Sequence, residues 1–219
     1  MKDRINEYLL AQIPPRSPFF TELELEAKRN QVPIMEPDSL ALMLQVMAIA
    51  KTSRILEIGA AIGYSALRMC EALPDATIVT VERDEARFQE AQANITRYGA
   101  ADRVELLLGD ALLVADKLCQ KGPFDAIFID AAKGQYEKFF QLFSPVLTED
   151  GVIYTDNVLF KGLALEESEE VQKKARIARK MRAFNAFLNQ QSAYTTVTIP
   201  LGDGLAITRR KKFGVADHE

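Results

Sequence analysis

The side chains best suited to chemistry follow two apolar segments in the second half of the chain. Asp130 comes directly after residues 126–129, and Asp156 and Asn157 come directly after residues 151–155. The carboxyl ends of parallel strands meet at one edge of a sheet, where α/β folds place their sites. All three side chains offer oxygen atoms, the hard ligands that Mg²⁺ prefers. This pattern predicts a magnesium site; two helix caps and a turn asparagine are the structural alternative.

Lys133 lies three residues after the first predicted ligand. A partly desolvated lysine near a dication has its charged form disfavoured, so it can serve as a general base. A bound Mg²⁺ also lowers the pKa of a hydroxyl that coordinates it. Lys133 and the ligand Asp130 are therefore the predicted catalytic residues, and a solvated surface lysine is the alternative for Lys133.

The composition excludes several classes of site. The single histidine, His218, leaves no Ser-His-Asp or Cys-His chemistry and almost no zinc site. The net charge of -4 provides no global attraction to nucleic acid. The N-terminus lacks an apolar signal region, and the longest apolar run, residues 40–50, is too short to span a bilayer. We expect a cytoplasmic protein that does not enter membranes, with Cys70 and Cys119 reduced.

A second set of polar groups follows the first three predicted strands. Residues 56–65, LEIGAAIGYS, contain a G-x-x-x-G turn between a strand and a helix. Glu82 ends the next strand, where a carboxylate accepts hydrogen bonds from ribose hydroxyls. Asp110 follows the third strand, and its carboxylate would accept the amine of an adenine or cap a helix. The set predicts an adenosine-bearing cofactor.

Short β-branched runs alternate with amphipathic segments, which predicts a doubly wound α/β sheet. Five strands are expected at residues 54–58, 77–81, 104–108, 126–129 and 151–155, and helices at 65–72, 85–98, 111–118 and 136–143. Two last strands, 195–200 and 204–210, are joined by a short turn and must form an antiparallel hairpin. Helices at 3–11, 19–30 and 37–50 are expected to cap the sheet. We predict one domain over 1–219, with a cap (1–50), a core (51–212) and a tail (213–219).

Together these motifs resemble the catechol and caffeoyl-CoA O-methyltransferase family. The resemblance rests on residues 56–65, 81–82, 109–111, 128–133, 156–157 and 202–204, and it covers nearly the whole chain from residue 32 onward. It implies a class I, Rossmann-like methyltransferase fold with seven strands, mostly parallel, and an S-adenosylmethionine cofactor. Ala131 stands where the animal catechol enzymes of this family carry histidine, which separates this chain from them.

The resemblance also implies roles for individual residues. Glu82 would hold the ribose, Asp110 and Ala111 the adenine, and Lys133 would lie beside the acceptor oxygen. Mg²⁺ would be bound by Asp130, Asp156 and Asn157. The remaining expected cofactor contacts, mostly to the methionine part, are Met35, Glu57, Gly59, Tyr64, Ser65 and Asp130.

Two longer strings bear on the acceptor. Residues 128–136 (FIDAAKGQY) and 155–163 (TDNVLFKGL), with 32–36, are similar to the bacterial tRNA 5-hydroxyuridine methyltransferases. This similarity implies methylation of a wobble 5-hydroxyuridine to 5-methoxyuridine. A small catechol or phenylpropanoid-like acceptor is the alternative. A cofactor-binding RNA-interaction protein without turnover and an NAD dehydrogenase are the other two classes considered.

A cation-rich segment, residues 173–182, precedes the final hairpin. Ile177, Met181, Phe184 and Leu188 fall on one helical stripe, which predicts a helix that packs on the sheet with its cations outward. The predicted RNA contacts are Lys161, Lys173, Lys174, Arg176, Arg179 and Lys180. A solvated helix face is the alternative. The N-terminal helices would either mediate a homodimer or only cap the fold.

Overall fold

A computed structural model describes residues 2–160, 162, 164 and 172–212. Seven strands form one sheet: β1 (Arg54–Ile58), β2 (Thr77–Glu82), β3 (Val104–Leu108), β4 (Phe124–Ile129), β5 (Leu147–Thr155), β6 (Tyr194–Ile199) and β7 (Leu205–Arg210). Their order is β3-β2-β1-β4-β5-β7-β6. The first five strands are parallel, and β7 lies antiparallel to both β5 and β6. The predicted mostly parallel sheet with a terminal antiparallel hairpin is confirmed.

Eight helices of the described residues surround this sheet: α1 (Lys2–Gln12), α2 (Pro18–Arg29), α3 (Pro37–Ile49), α4 (Tyr64–Ala72), α5 (Glu85–Tyr98), α6 (Ala115–Cys119), α7 (Tyr136–Phe143) and α8 (Gln172–Asn189). The boundaries of α5 follow from local chemistry. The Asp84 side chain accepts the N–H of Arg87 at 3.0 Å, and Gly99 ends the helix in a left-handed conformation. None of the described helices combines the length and the hydropathy that a membrane-spanning segment needs.

Alternate residues of the central strands enter two apolar clusters, one on each face of the sheet. On β4, Phe128 packs with residues of α2, α3 and α4, whereas Ile127 and Ile129 pack with α7 and α8. Strands β1 and β4 are therefore buried on both faces, as parallel strands in doubly wound folds are. Asp130 follows β4 directly, at the carboxyl edge of the sheet where α/β folds place their sites.

Two predicted elements differ from the structure by four residues at their start, and the other bounds differ by at most two. The helix expected at residues 111–118 begins only at Ala115. Before it, the Asp110 carboxylate accepts the N–H of Leu112 at 2.9 Å, and the backbone carbonyl of Asp110 accepts the N–H of Leu113 at 2.8 Å. An aspartate turn of this kind competes with the helix. Strand β5 begins four residues before its predicted start, because Leu147 pairs with Phe124 across the sheet. The predicted tail, with His218, lies outside the described residues.

Candidate active site

The glycine turn after β1 packs directly against the end of β4. Gly59 has a φ of +105°, and a Cβ atom there would collide with the backbone carbonyl of Asp130. Only glycine tolerates both the conformation and the contact. The amides of Gly59 and Ala60 donate to the Val81 carbonyl at 3.0 and 3.1 Å. The predicted cofactor turn and the first predicted metal ligand are thus held side by side.

Glu82 joins this turn to the end of β2. One carboxylate oxygen accepts the N–H of Ala61 at 2.9 Å, and the other accepts those of Arg83 and Asp84, each at 2.9 Å. A carboxylate offers about four acceptor positions, so these three bonds leave room for a further donor. Glu82 is therefore fixed in place and still able to accept a ligand hydroxyl.

A pocket of about 560 Å³ opens along the carboxyl ends of the strands. This volume is typical of small-molecule and cofactor sites. The structure brings eight of the predicted site residues to its wall: Gly59, Glu82, Asp110, Ala111, Asp130, Lys133, Asp156 and Asn157. The wall also includes Pro33, Ile34 and Glu36, which follow helix α2, so the N-terminal cap closes one side of the pocket.

Glu57 and Ser65, two of the predicted cofactor contacts, are placed beneath the glycine turn and not among the wall residues. Glu57 is fully buried; the Ser65 hydroxyl donates to one of its carboxylate oxygens, and the Thr80 hydroxyl donates to the other at 2.5 Å. Burial raises the pKa of Glu57 to about 7, against the opposing effect of these two hydrogen bonds. Glu57 and Ser65 support the glycine turn, and contact between these two residues and a cofactor stays a prediction.

Tyr64 and Met35 are also directed into the protein. The Tyr64 hydroxyl donates to Glu24 of helix α2 at 2.6 Å, and Met35 belongs to the apolar cluster under the cap. Both are almost fully buried. Neither is among the wall residues, although Ile34 and Glu36, on either side of Met35, are. Their predicted contact with a cofactor likewise stays a prediction.

Asp130, Asp156 and Asn157 lie together in the wall of the pocket, and their side-chain oxygens are of the kind that a hard cation takes. Asp156 is 1% exposed, and its Oδ1 has no hydrogen-bond partner among the described residues. The Asn157 amide donates to Asp156 Oδ2 at 3.0 Å, so only one of the two carboxylate oxygens is satisfied. An unpaired buried carboxylate oxygen is costly unless a ligand meets it. In the described ranges no group of three or more His, Cys, Asp and Glu side chains is arranged to hold a metal, so the donor set is two carboxylates and one amide.

Charge is concentrated at this end of the pocket. Burial raises the pKa of both Asp130 and Asp156, and the negative charge of Asp130 raises that of Asp156 further. Lys133 acts in the opposite direction on both carboxyls, while the charge of Asp203 adds to the repulsion. A site with this excess of buried negative charge favours a cation.

Lys133 lies beside the predicted metal ligands. Its Nζ donates to Asn157 Oδ1 at 2.6 Å and lies 6.0 Å from the centre of the Phe160 ring. The pocket wall around Lys133 contains four residues for which the sequence predicts no function: Gln135, Phe139, Phe160 and Asp203. Asp203 belonged to a quoted motif and was identifiable on that ground. Gln135 and Phe160 lie within the quoted strings 128–136 and 155–163, whereas Phe139 stands outside every quoted motif.

The cation-rich helix α8 packs as predicted. Met181, Phe184 and Leu188 are buried against the sheet, Ile177 is partly buried, and Arg176, Arg179 and Lys180 are exposed. A Cβ atom on Gly134 would lie 2.6 Å from Lys180 Nζ, so this amine lies beside the residue that follows Lys133. Lys161 and the side chains of Lys173 and Lys174 lie outside the described residues. RNA contact by this set stays a prediction.

One cation near the end of the chain has a structural role. Arg210 donates to the carbonyl of Ser144 at 2.8 Å and lies over the ring of Tyr194. It belongs to the packing between β7 and the segment before β5. A run of basic residues in the sequence is therefore not equivalent to a basic surface.

The strand order, the glycine turn and the strand-end carboxylates define the class of protein: an α/β, Rossmann-like methyltransferase. Two solved structures share this fold over most of the chain. One is the SAH-bound methyltransferase PaMTH1 of Podospora anserina, 27% identical with a TM-score of 0.84, covering 96% of this chain and 95% of that one. The other, from Staphylococcus aureus, is provisionally named a caffeoyl-CoA O-methyltransferase; it is 32% identical with a TM-score of 0.88, covering 94% and 99%.

The chain belongs to the O-methyltransferase family, whose profile matches residues 16–211. It is 34% identical over 173 residues to a catechol O-methyltransferase of Niastella koreensis, covering 75% of this chain and 76% of that protein. It is 30% identical over 185 residues to a caffeoyl-CoA O-methyltransferase of Populus kitakamiensis, covering 82% and 77%. The protein is an S-adenosylmethionine-dependent O-methyltransferase of the catechol and caffeoyl-CoA type.

Proposed function

We propose that this enzyme methylates a hydroxyl group of a planar acceptor with two adjacent oxygens, of the catechol or phenylpropanoid type, with the help of Mg²⁺. The observation that carries the proposal is the unpaired, buried Oδ1 of Asp156, which lies with Asp130, Asn157 and Lys133 in one pocket. Binding of the cofactor alone does not require this cluster of two carboxylates, an amide and an amine. The acceptor class is supported by the relatives, which are named for catechol and caffeoyl-CoA acceptors.

The cofactor end of the pocket is proposed to lie along the first three strand ends. Glu82 would accept the ribose hydroxyls through the acceptor capacity that its three backbone hydrogen bonds leave. Asp110 and Ala111 would contact the adenine, with the Asp110 side chain held by its bond to Leu112. The methyl group would then be presented on the side of the pocket where Asp130 lies.

At the other end, Asp130, Asp156 and Asn157 would hold Mg²⁺. When bound, the ion lowers the pKa of a coordinated acceptor hydroxyl and neutralises the buried carboxylates. Lys133 Nζ would take the hydroxyl proton, and the acceptor oxygen would attack the sulfonium methyl, so that S-adenosylhomocysteine leaves. Phe139 and Phe160 supply apolar wall for a flat ring, and the protein contributes mainly by positioning the two reactants.

A second candidate acceptor is the 5-hydroxyuridine of a tRNA wobble position. Its hydroxyl lies next to a carbonyl, so it offers a similar pair of oxygens to the same site. The exposed Arg176, Arg179 and Lys180 favour it, because Lys180 lies at Gly134, beside the pocket. Exposed cations of this kind would contact phosphates.

Methyl transfer from labelled cofactor distinguishes the two acceptors. Catechol, caffeoyl-CoA and hydroxyuridine-bearing tRNA would each be assayed with Mg²⁺ and with EDTA. We expect transfer to a small catechol-type acceptor that EDTA abolishes. The charge-reversed variant Arg176→Glu/Arg179→Glu should leave this transfer unchanged, because neither side chain lines the pocket.

Transfer to tRNA alone, lost in the charge-reversed variant, would replace the small acceptor by the second candidate. Transfer that persists in EDTA would contradict the proposed metal dependence for either acceptor. Binding of S-adenosylhomocysteine without transfer to any of the three acceptors would contradict the acceptor assignment and leave the family membership intact.

A further inference from the structure

The oxygen that Asn157 would offer to a metal ion is already bonded to a cation. Lys133 Nζ donates to Asn157 Oδ1 at 2.6 Å, a short bond of the kind that ionised donors make. The other end of the same amide donates to Asp156 Oδ2 at 3.0 Å. The two contacts agree on the orientation of the amide, because an amine donates to the oxygen and a carboxylate accepts from the nitrogen.

The surroundings favour a cation at this point. Asp130 and Asp156 lie in the same end of the pocket, and Asp203 adds its charge to both. Lys133 is the lysine whose ammonium bonds to one of the three predicted ligands. A dication on the same oxygen would lie only a few ångströms from that ammonium, and two positive charges so close repel each other strongly. Simultaneous occupation of Asn157 Oδ1 by both is therefore disfavoured.

We propose that Lys133 and the metal ion compete for Asn157 Oδ1, so that metal binding displaces the ammonium and releases Nζ to the acceptor. The inference rests on the proposed metal dependence and adds a role for Lys133 in metal binding itself. The displaced ammonium would first give one proton to solvent, and the resulting amine would then take the proton of the acceptor hydroxyl, so the base becomes available only when the metal has taken its place. Loading of the metal and positioning of the base are thereby one event.

Simple repulsion between Lys133 and the metal is the competing explanation, and the chain offers a matched control for it. Lys180 Nζ lies next to Gly134, so it places a second positive charge near the site. Among the described residues Lys180 makes no hydrogen bond to the predicted ligands. Lys180→Met removes a nearby charge, whereas Lys133→Met removes the charge together with the bond to Asn157.

The test is calorimetric titration of Mn²⁺ into the parent protein, Lys133→Met and Lys180→Met. A hydrogen bond to a charged group contributes enough to predict about tenfold tighter binding by Lys133→Met. For Lys180→Met we expect a change of about twofold or less, because exposed charges are screened. Equal tightening in both variants, or no tightening in Lys133→Met, would overturn the proposal. A parent protein that binds no Mn²⁺ would overturn the proposed metal dependence as well.

Two further measurements do not depend on affinity. In EDTA, Lys133→Met should melt at a lower temperature than Lys180→Met, because it leaves the carboxylates and the Asn157 oxygen without their cation. A crystal structure with Mn²⁺ should show Lys133 Nζ beyond hydrogen-bond distance of Asn157 Oδ1. Persistence of the 2.6 Å bond beside a bound Mn²⁺ would refute the competition directly.

Discussion

Replacing the buried carboxyl group of Glu57 by an amide should remove a pH-dependent loss of stability. Glu57 is fully buried, and burial raises its pKa from 4.5 to about 7. The pKa of Glu57 is higher in the folded protein than in the unfolded chain. The stabilising contribution of Glu57 is therefore complete below about pH 4.5 and is lost as the pH rises through 7. In Glu57→Gln this contribution no longer depends on pH.

The expected magnitude follows from the two pKa values. The interval between 4.5 and about 7 corresponds to about 3 kcal/mol, at roughly 1.4 kcal/mol per pKa unit. The glutamine retains an acceptor for one hydroxyl, and the other hydroxyl, of Ser65 or Thr80, can reverse and accept from the amide. The variant should therefore be close to the parent near pH 5 and more stable by up to about 3 kcal/mol at pH 8.

Urea unfolding between pH 5 and 8.5, in EDTA and without cofactor, measures the difference. Glu7→Gln, which changes an exposed carboxylate of helix α1 in the same way, is the control and should follow the parent at each pH. Parallel curves for the parent and Glu57→Gln would show that the buried carboxyl does not take up a proton on folding. Burial would then not raise the pKa of Glu57.

Three further substitutions test the site. Asp156→Ala should lower methyl transfer at least about 100-fold at saturating cofactor, because it removes a metal ligand; radiolabel transfer measures this, and near-parental activity would contradict the metal site. Glu82→Gln should weaken S-adenosylhomocysteine binding about tenfold by calorimetry, since it loses charge-assisted acceptors for the ribose; unchanged affinity would contradict that role. Gly59→Ala should lower unfolding stability by at least about 2 kcal/mol, because its Cβ meets the Asp130 carbonyl; an unchanged melting temperature would contradict the close packing.

The sheet could be predicted because its signals are local. The five parallel strands are short, mostly apolar runs, and the turn at residues 201–203 is too short for anything but an antiparallel pair. The predicted bounds of β1 and β3 match the structure at both ends. Helix α6 was predicted too long, because the Asp110 side chain bonds to a nearby backbone amide and that competition is not visible in apolar periodicity.

The convergence of the predicted ligands could also be derived from the sequence. Asp130 and Asp156 each follow a strand, and in a parallel sheet the carboxyl ends of neighbouring strands share an edge. The pairing of β4 with β5 brings the two together. What a sequence cannot provide is which polar residues of one motif point outward. Glu57, Tyr64 and Ser65 belong to the same motif as Gly59. Only the tertiary structure showed that Glu57 accepts hydrogen bonds from Ser65 and Thr80 and that Tyr64 donates to Glu24.

Asp203 and Lys180 are two further residues whose positions only the tertiary structure decides. Asp203 lies in the final hairpin and reaches the pocket because β7 inserts between β5 and β6. Lys180 reaches Gly134 because helix α8 packs across the sheet beside that turn. The sequence alone determined the strands, the strand-end carboxylates and the cofactor motif, because each depends on a few adjacent residues. The tertiary structure alone decided which side chains meet, because those contacts join residues that are far apart in the chain.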